Sequence, residues 1–106
     1  MISFEDFKKL NLVVATVTAV ENHPQADRLL LLTVQIGEEL RTLVAGIKQF
    51  YQPEALVGKQ LVVVENLEPA SIRGVQSQGM ILAAKSGETL SLVTLDRPVP
   101  SGTTVS

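Results

Sequence analysis

The run from Asn66 to Ala84 reads NLEPASIRGVQSQGMILAA. It sets an Asn-Leu-x-Pro turn at Asn66–Pro69, a Ser-x-Gly-Met sequence at Ser77–Met80 and an apolar strand, Met80–Ala84, into one short segment. Generic hydrophobic patterning does not demand that order. Downstream, Thr89–Leu95 is a second run of strand character. It is expected to pair with Met80–Ala84 as a hairpin across Lys85-Ser86-Gly87-Glu88. The tail, Arg97–Ser106, is rich in Pro, Ser, Gly and Thr, so irregular structure or a short strand is expected there.

Upstream, β-branched and apolar runs alternate with turn residues. Leu12–Val20 (LVVATVTAV) predicts a long strand, broken by Glu21-Asn22-His23-Pro24. Leu29–Ile36 predicts a second strand, closed by Gly37-Glu38. Leu40–Ile47 predicts a third, and Lys59–Glu65 a fourth that is almost purely apolar at its centre. Between these two, Pro53-Glu54 marks a helix start and Gly58 a stop. Ser3 with Asp6 resembles a capping box, so a short helix carrying Phe4 and Phe7 on one face is expected before Asn11. An all-β chain of short strands, with two brief helices, one between strands three and four, fits a small closed or partly open barrel. That is the layout of the oligonucleotide/oligosaccharide-binding (OB) fold. A plain β-sandwich is the alternative. No linker, repeat or low-complexity stretch divides residues 1–106, so one domain is expected.

Composition narrows the chemistry. A chain of 106 residues hides about two-thirds of its unfolded surface, enough for one core without staples. It has no Cys, hence no disulfide or thiolate chemistry, and its one His, His23, cannot form a multi-His metal site. No cofactor is expected. The N-terminus, MISFEDFKKL, is acidic and polar from its fourth residue, unlike a signal peptide, and no apolar run reaches the roughly 18 residues of a membrane span. A cytoplasmic protein without membrane contact is expected. The formal net charge is −2, which argues against bulk attraction to nucleic acid, so RNA binding requires a local basic patch.

Catalysis is not expected. Gly74–Gly79 is spaced GxxSxG rather than the GxSxG of a nucleophile elbow, and Ser77 has no base in sight. Ser77 is read as a hydroxyl that bonds backbone or a ligand phosphate, and His23 as a turn residue. Arg28, Arg41, Lys48, Lys59, Arg73 and Lys85 lie within or beside the expected strands. They read either as a converging basic face or as ordinary solubilising charges. Phe4, Phe7, Phe50 and Tyr51 fall in or just before the helices and none in a strand. The stacking platform of single-strand binders is therefore missing, and DNA is not an expected ligand. A folded RNA recognised by backbone and shape fits better.

Across essentially the whole chain the order and spacing of these pieces resemble the tRNA-binding domain family. That family includes the appended domain of methionyl-tRNA synthetases, a free-standing bacterial tRNA-binding protein and the C-terminal domain of endothelial monocyte-activating polypeptide II. The similar segments are Phe4–Phe7 with Lys9 and the following strand, His23–Leu30 (HPQADRLL), Arg41–Ile47, Tyr51–Gly58, Asn66-Leu67 with Pro69, and Ser77-x-Gly79-Met80. The resemblance implies an OB barrel that contacts the corner of tRNA without reading an anticodon. Free-standing members are typically homodimers, and the domain serves as an affinity module for an aminoacyl-tRNA synthetase. By position, Asn66, Ser77 and Met80 are implied at the RNA-facing edge and Arg28 and Arg41 as phosphate contacts that matter little to stability. Lys48, Arg73 and Lys85 complete the candidate RNA-binding set. Met80 reads equally as core, and Asn66 as a turn holder with Pro69. One departure stands out: where the family usually carries a basic pair, this chain has Ala70-Ser71, with Glu68 before Pro69. Weak, salt-sensitive tRNA binding is expected. The rival expectation is a protein-interaction or export-chaperone-like module of the same superfamily. Met1 directly ahead of the first motif suggests a free-standing protein, and a segment of a longer synthetase would read the same. The segment Thr89–Val105 is expected to contribute to a dimer interface.

Overall fold

The computed structural model describes residues 1–106. Helix α1 (Phe4–Phe7) is capped by Ser3, whose Oγ accepts the Asp6 N–H at 3.1 Å. The chain then runs through β1 (Leu12–Asn22), β2 (Leu30–Ile36), β3 (Glu39–Ala45), α2 (Pro53–Leu56), β4 (Gln60–Val64), β5 (Ala70–Ile72), β6 (Val75–Ser77), β7 (Met80–Ile81), β8 (Ala83–Ser86), β9 (Thr89–Leu92) and β10 (Thr104–Val105). The principal sheet has the order β3-β2-β1-β4-β7, with β10 added to β1, and β5–β6 and β8–β9 form two-stranded arms. The result is the all-β, OB-type barrel read from the sequence.

The apolar runs of β1 and β4 have a direct cause. Val13, Ala15 and Val17 of β1 and Leu61 and Val63 of β4 point into the main core with Leu30, Leu32, Val34, Leu43 and Leu56. Leu12, Val62 and Val64 point outward into a second small core, covered by Phe7, Leu82, Leu95 and Val105. Strands buried on both faces lose their polar alternation. β1 also slips register between Val17 and Ala19. Such a bulge sharpens the strand's twist and helps the sheet curl.

Several boundaries differ from expectation for identifiable reasons. β1 continues past Val20, because Glu21 and Asn22 still pair with Leu31 and Leu30. The strand expected over Met80–Ala84 is two strands. Met80–Ile81 pairs with β4, and only Ala83–Ser86 joins the hairpin with Thr89–Leu92. The hairpin β5–β6 was not anticipated. Its central residues, Arg73 (φ 52°) and Gly74 (φ 87°), both have positive φ, as a type I′ turn requires, but Arg-Gly lacks the Asn-Gly signature of that turn.

The Ser-x-Gly-Met segment closes the barrel. Strand β3 would otherwise present an open edge, and the segment between β6 and β7 binds it with side chains as well as backbone. The Thr42 N–H donates to Gln78 Oε1 at 3.1 Å and the Val44 N–H to Ser77 Oγ at 2.9 Å, while the Gln78 N–H donates to Thr42 O at 2.9 Å. Gly79 has φ 145°, and a Cβ there would stand 3.1 Å from Val64 O and 3.2 Å from Leu43 Cδ2. Only glycine meets both the conformation and the close approach.

Candidate nucleic-acid interface

The eight candidate residues separate by what their polar atoms already bond. Ser77 is buried, at 4% exposure. Its Oγ accepts from Val44 and donates to Gly79 O at 3.0 Å, so donor and acceptor are both engaged within the fold. Asn66 clasps the end of α1's connection to β1: its Oδ1 accepts the Asn11 N–H at 2.8 Å and its Nδ2 donates to Lys9 O at 2.7 Å. Arg41, its side chain 20% exposed, donates from Nε to Glu39 Oε1 at 3.2 Å and from Nη1 to Glu65 O at 2.8 Å. Its Nη2 lies 3.9 Å from Glu65 Oε2. Asn11 Nδ2 donates to the other Glu65 oxygen. Arg41 is therefore a cross-strand clamp between β3 and the end of β4, a structural role that the expectation of little effect on stability left out. Met80 is half exposed on β7. It lines a shallow cleft with Val44, Leu67, Glu68, Ala70 and Ile72.

The remaining four, Arg28, Lys48, Arg73 and Lys85, form no ion pair; the paired cations are Lys9, Arg41 and Arg97. Arg28 is exposed in the loop 23–29 between β1 and β2, and Arg73 lies at the tip of the β5–β6 hairpin. Both line one shallow concavity with Ala26, Asp27 and Leu29. The Arg73 Nη2 donates to Gln25 O at 3.4 Å, tying the tip to the loop. Leu29 Cδ2 lies over Gly46, where an added Cβ would stand 3.7 Å from it, and Lys48 is two residues beyond that glycine in the turn before α2. In the same turn Phe50 receives Lys85 Nζ 5.5 Å over its ring. This cation–π contact holds the Lys85 stem while β8, exposed along its length, leaves the ammonium accessible. Arg28 and Arg73 thus share one concavity, and Lys85 rests on the turn that carries Lys48.

His23 is the residue whose importance the sequence understated. It is buried, at 5% exposure. Its Nδ1 accepts the Gln25 N–H at 3.0 Å, which leaves Nε2 as the nitrogen that carries the donating proton. Nε2 donates to Ile72 O at 3.1 Å. The signal was the His-Pro pair itself: a side chain in a turn that bonds a backbone N–H two residues on.

The aromatic residues lie where the sequence put them, Phe4 and Phe7 in α1 and Phe50 and Tyr51 in the turn before α2. The Tyr51 hydroxyl accepts the Leu92 N–H at 3.1 Å and is part of the frame. No strand presents an aromatic face for base stacking. No helix is long and apolar enough to cross a membrane.

The sequence profile of the family described as "Putative tRNA binding domain" matches residues 12–104. The methionine–tRNA ligase of Pyrococcus horikoshii is 49% identical over 104 residues, covering 98% of this chain and 14% of the ligase. That of Deinococcus radiodurans is 52% identical over 106 residues, covering 99% of this chain and 16% of the ligase. The chain thus spans a small fraction of the ligases it matches. Among solved structures, a MetRS-related protein from Pyrococcus horikoshii superposes with a TM-score of 0.93 at 34% identity, covering all of this chain and 98% of the other. The chaperone CsaA of Bacillus anthracis superposes with a TM-score of 0.90 at 32% identity, covering all of this chain and 99% of that one.

Proposed function

We propose, because the chain belongs to the tRNA-binding domain family, that it binds tRNA without catalysing a reaction. It recognises the folded shape of the RNA and adds tRNA affinity to an aminoacyl-tRNA synthetase, either as a free-standing cytoplasmic dimer or as part of a synthetase. The observation that carries this reading is the convergence of Arg28 and Arg73, neither of them ion-paired, on one concavity. Lys48 and Lys85 extend it along the phosphate path. Arg41, Asn66 and Ser77 support the site from behind by holding the barrel edge and the α1 connection. Met80 lies on the neighbouring cleft. Residues 1–106 act as one module, and a dimer interface is drawn from Thr89–Val105, where Val93 is exposed.

The test is fluorescence anisotropy with labelled tRNA at two salt concentrations, with unstructured RNA of equal length as competitor. Salt-sensitive binding that prefers folded tRNA supports the reading. Absence of binding at low salt refutes it. A second reading, a protein-interaction module, is favoured by the cleft of Val44, Leu67, Ala70, Ile72 and Met80. There the lone charge is acidic Glu68, and Ala70-Ser71 stands where the family resemblance implies a basic pair. The full-length match to a protein described as a chaperone points the same way. Suppressed aggregation of an unfolded client, in a chain that fails to bind tRNA, selects this second reading.

A further inference from the structure

We infer that His23 is a positioning residue that couples Arg28 to Arg73, so that the two guanidiniums engage RNA as one unit. The inference rests on the RNA-binding reading above. His23 stands between the two arginines and bonds the immediate neighbour of each. Its backbone N–H donates to Leu29 O at 3.2 Å, next to Arg28. Its Nε2–H donates to Ile72 O at 3.1 Å, next to Arg73. The third bond, from Gln25 N–H to Nδ1 at 3.0 Å, leaves Nδ1 as the acceptor and so selects the tautomer in which Nε2 is the donor. Otherwise a single long contact, Arg73 Nη2 to Gln25 O at 3.4 Å, is the side-chain bond joining the loop 23–29 to the β5–β6 arm.

The arm needs such a joint. It is a three-residue-strand hairpin outside the principal sheet, held at its base to β3 through Ser77, and its tip residue Arg73 sits in left-handed backbone conformation. Without the joint, hairpin tip and loop move separately. Two phosphate contacts on independently moving elements lose the advantage of a fixed spacing, because each must be ordered at the moment of binding. Asp27, which lines the same concavity, makes the spacing matter more, since a displaced phosphate meets a carboxylate.

The two hydrogen bonds of the ring are separable by substitution. His23→Asn places an acceptor near Nδ1 and keeps the bond to Gln25, but is too short to reach Ile72 O. His23→Gln carries an amide donor out to the Nε2 position and keeps the bridge. Three readouts on the folded proteins decide the matter: tRNA affinity, its salt slope, and amide hydrogen exchange across residues 70–77. His23→Asn is expected to weaken tRNA binding about tenfold and to lower the log–log salt slope by about 0.7–0.9, one phosphate contact. Exchange in the hairpin should rise. His23→Gln should stay near the wild type in all three. Equal behaviour of the two variants, or wild-type affinity and slope in His23→Asn, overturns the inference. If the wild-type chain does not bind tRNA, the RNA reading fails. The coupling is then judged by exchange alone: unchanged hairpin exchange in His23→Asn overturns the joint, and a rise confined to that variant upholds it.

Discussion

At the scale of single residues, Ser77 shows why a side chain in a signature need not touch the ligand. Its hydroxyl is saturated by Val44 N–H and Gly79 O, and the partner that matters lies 33 residues away on an edge strand. Ser77→Ala leaves the half-buried Val44 N–H without its side-chain acceptor and should cost about 1 kcal/mol in urea unfolding. Its tRNA affinity well below the unfolding temperature should match the wild type. A large affinity loss in a stable Ser77→Ala protein would return the hydroxyl to the RNA surface. Gly79→Ala should destabilise by more than about 2 kcal/mol in the same assay, since it adds left-handed strain to a 3.1 Å approach to Val64 O. The sequence marked these residues as special but not what they bond. That depends on which strand edge the segment meets, and no local pattern encodes it.

Among the elements, the β5–β6 hairpin sets function against stability. A type I′ turn favours Asn or Gly where this chain has Arg73, and left-handed backbone costs an L-residue about 1–2 kcal/mol. Arg73→Asn should therefore raise stability, by up to about 1 kcal/mol, while weakening tRNA binding and flattening its salt slope by about 0.7–0.9. Chemical denaturation and anisotropy on the same protein check both signs. A variant that gains stability and keeps full affinity would remove Arg73 from the interface. The main strands were legible because burial on both faces leaves runs such as LVVA and LVVV, and because Gly37 and Gly58 mark their ends. The hairpin was not. Its strands ASI and VQS are three residues each, too short for an alternation to register, and its turn carries no Asn-Gly. The split of the Met80–Ser86 run at Leu82 was hidden for another reason. The change of partner from β4 to β9 is a tertiary event, made by Leu82 N–H bonding Val62 O and Val93 N–H bonding Leu82 O.

For the whole molecule, the charge inventory limits what one copy can do to an RNA. Eleven acids against nine bases leave no general attraction, and Arg41 is occupied by Glu39 and Glu65. Of the candidate RNA-binding cations, Arg28, Lys48, Arg73 and Lys85 form no ion pair. If all four displace counterions, the log–log salt slope for a single chain is about −3. A two-fold dimer that lays both sets of cations on one tRNA has a slope near −6, and gains affinity through effective concentration rather than new contacts. Salt-dependent anisotropy run beside light scattering at the same protein concentration distinguishes the two. A dimer with a slope near −6 means both copies engage one RNA. A dimer with a slope near −3 means the two sites face away from a common ligand and the interface serves another purpose. A monomer with a slope near −3 removes Thr89–Val105 as a dimer surface.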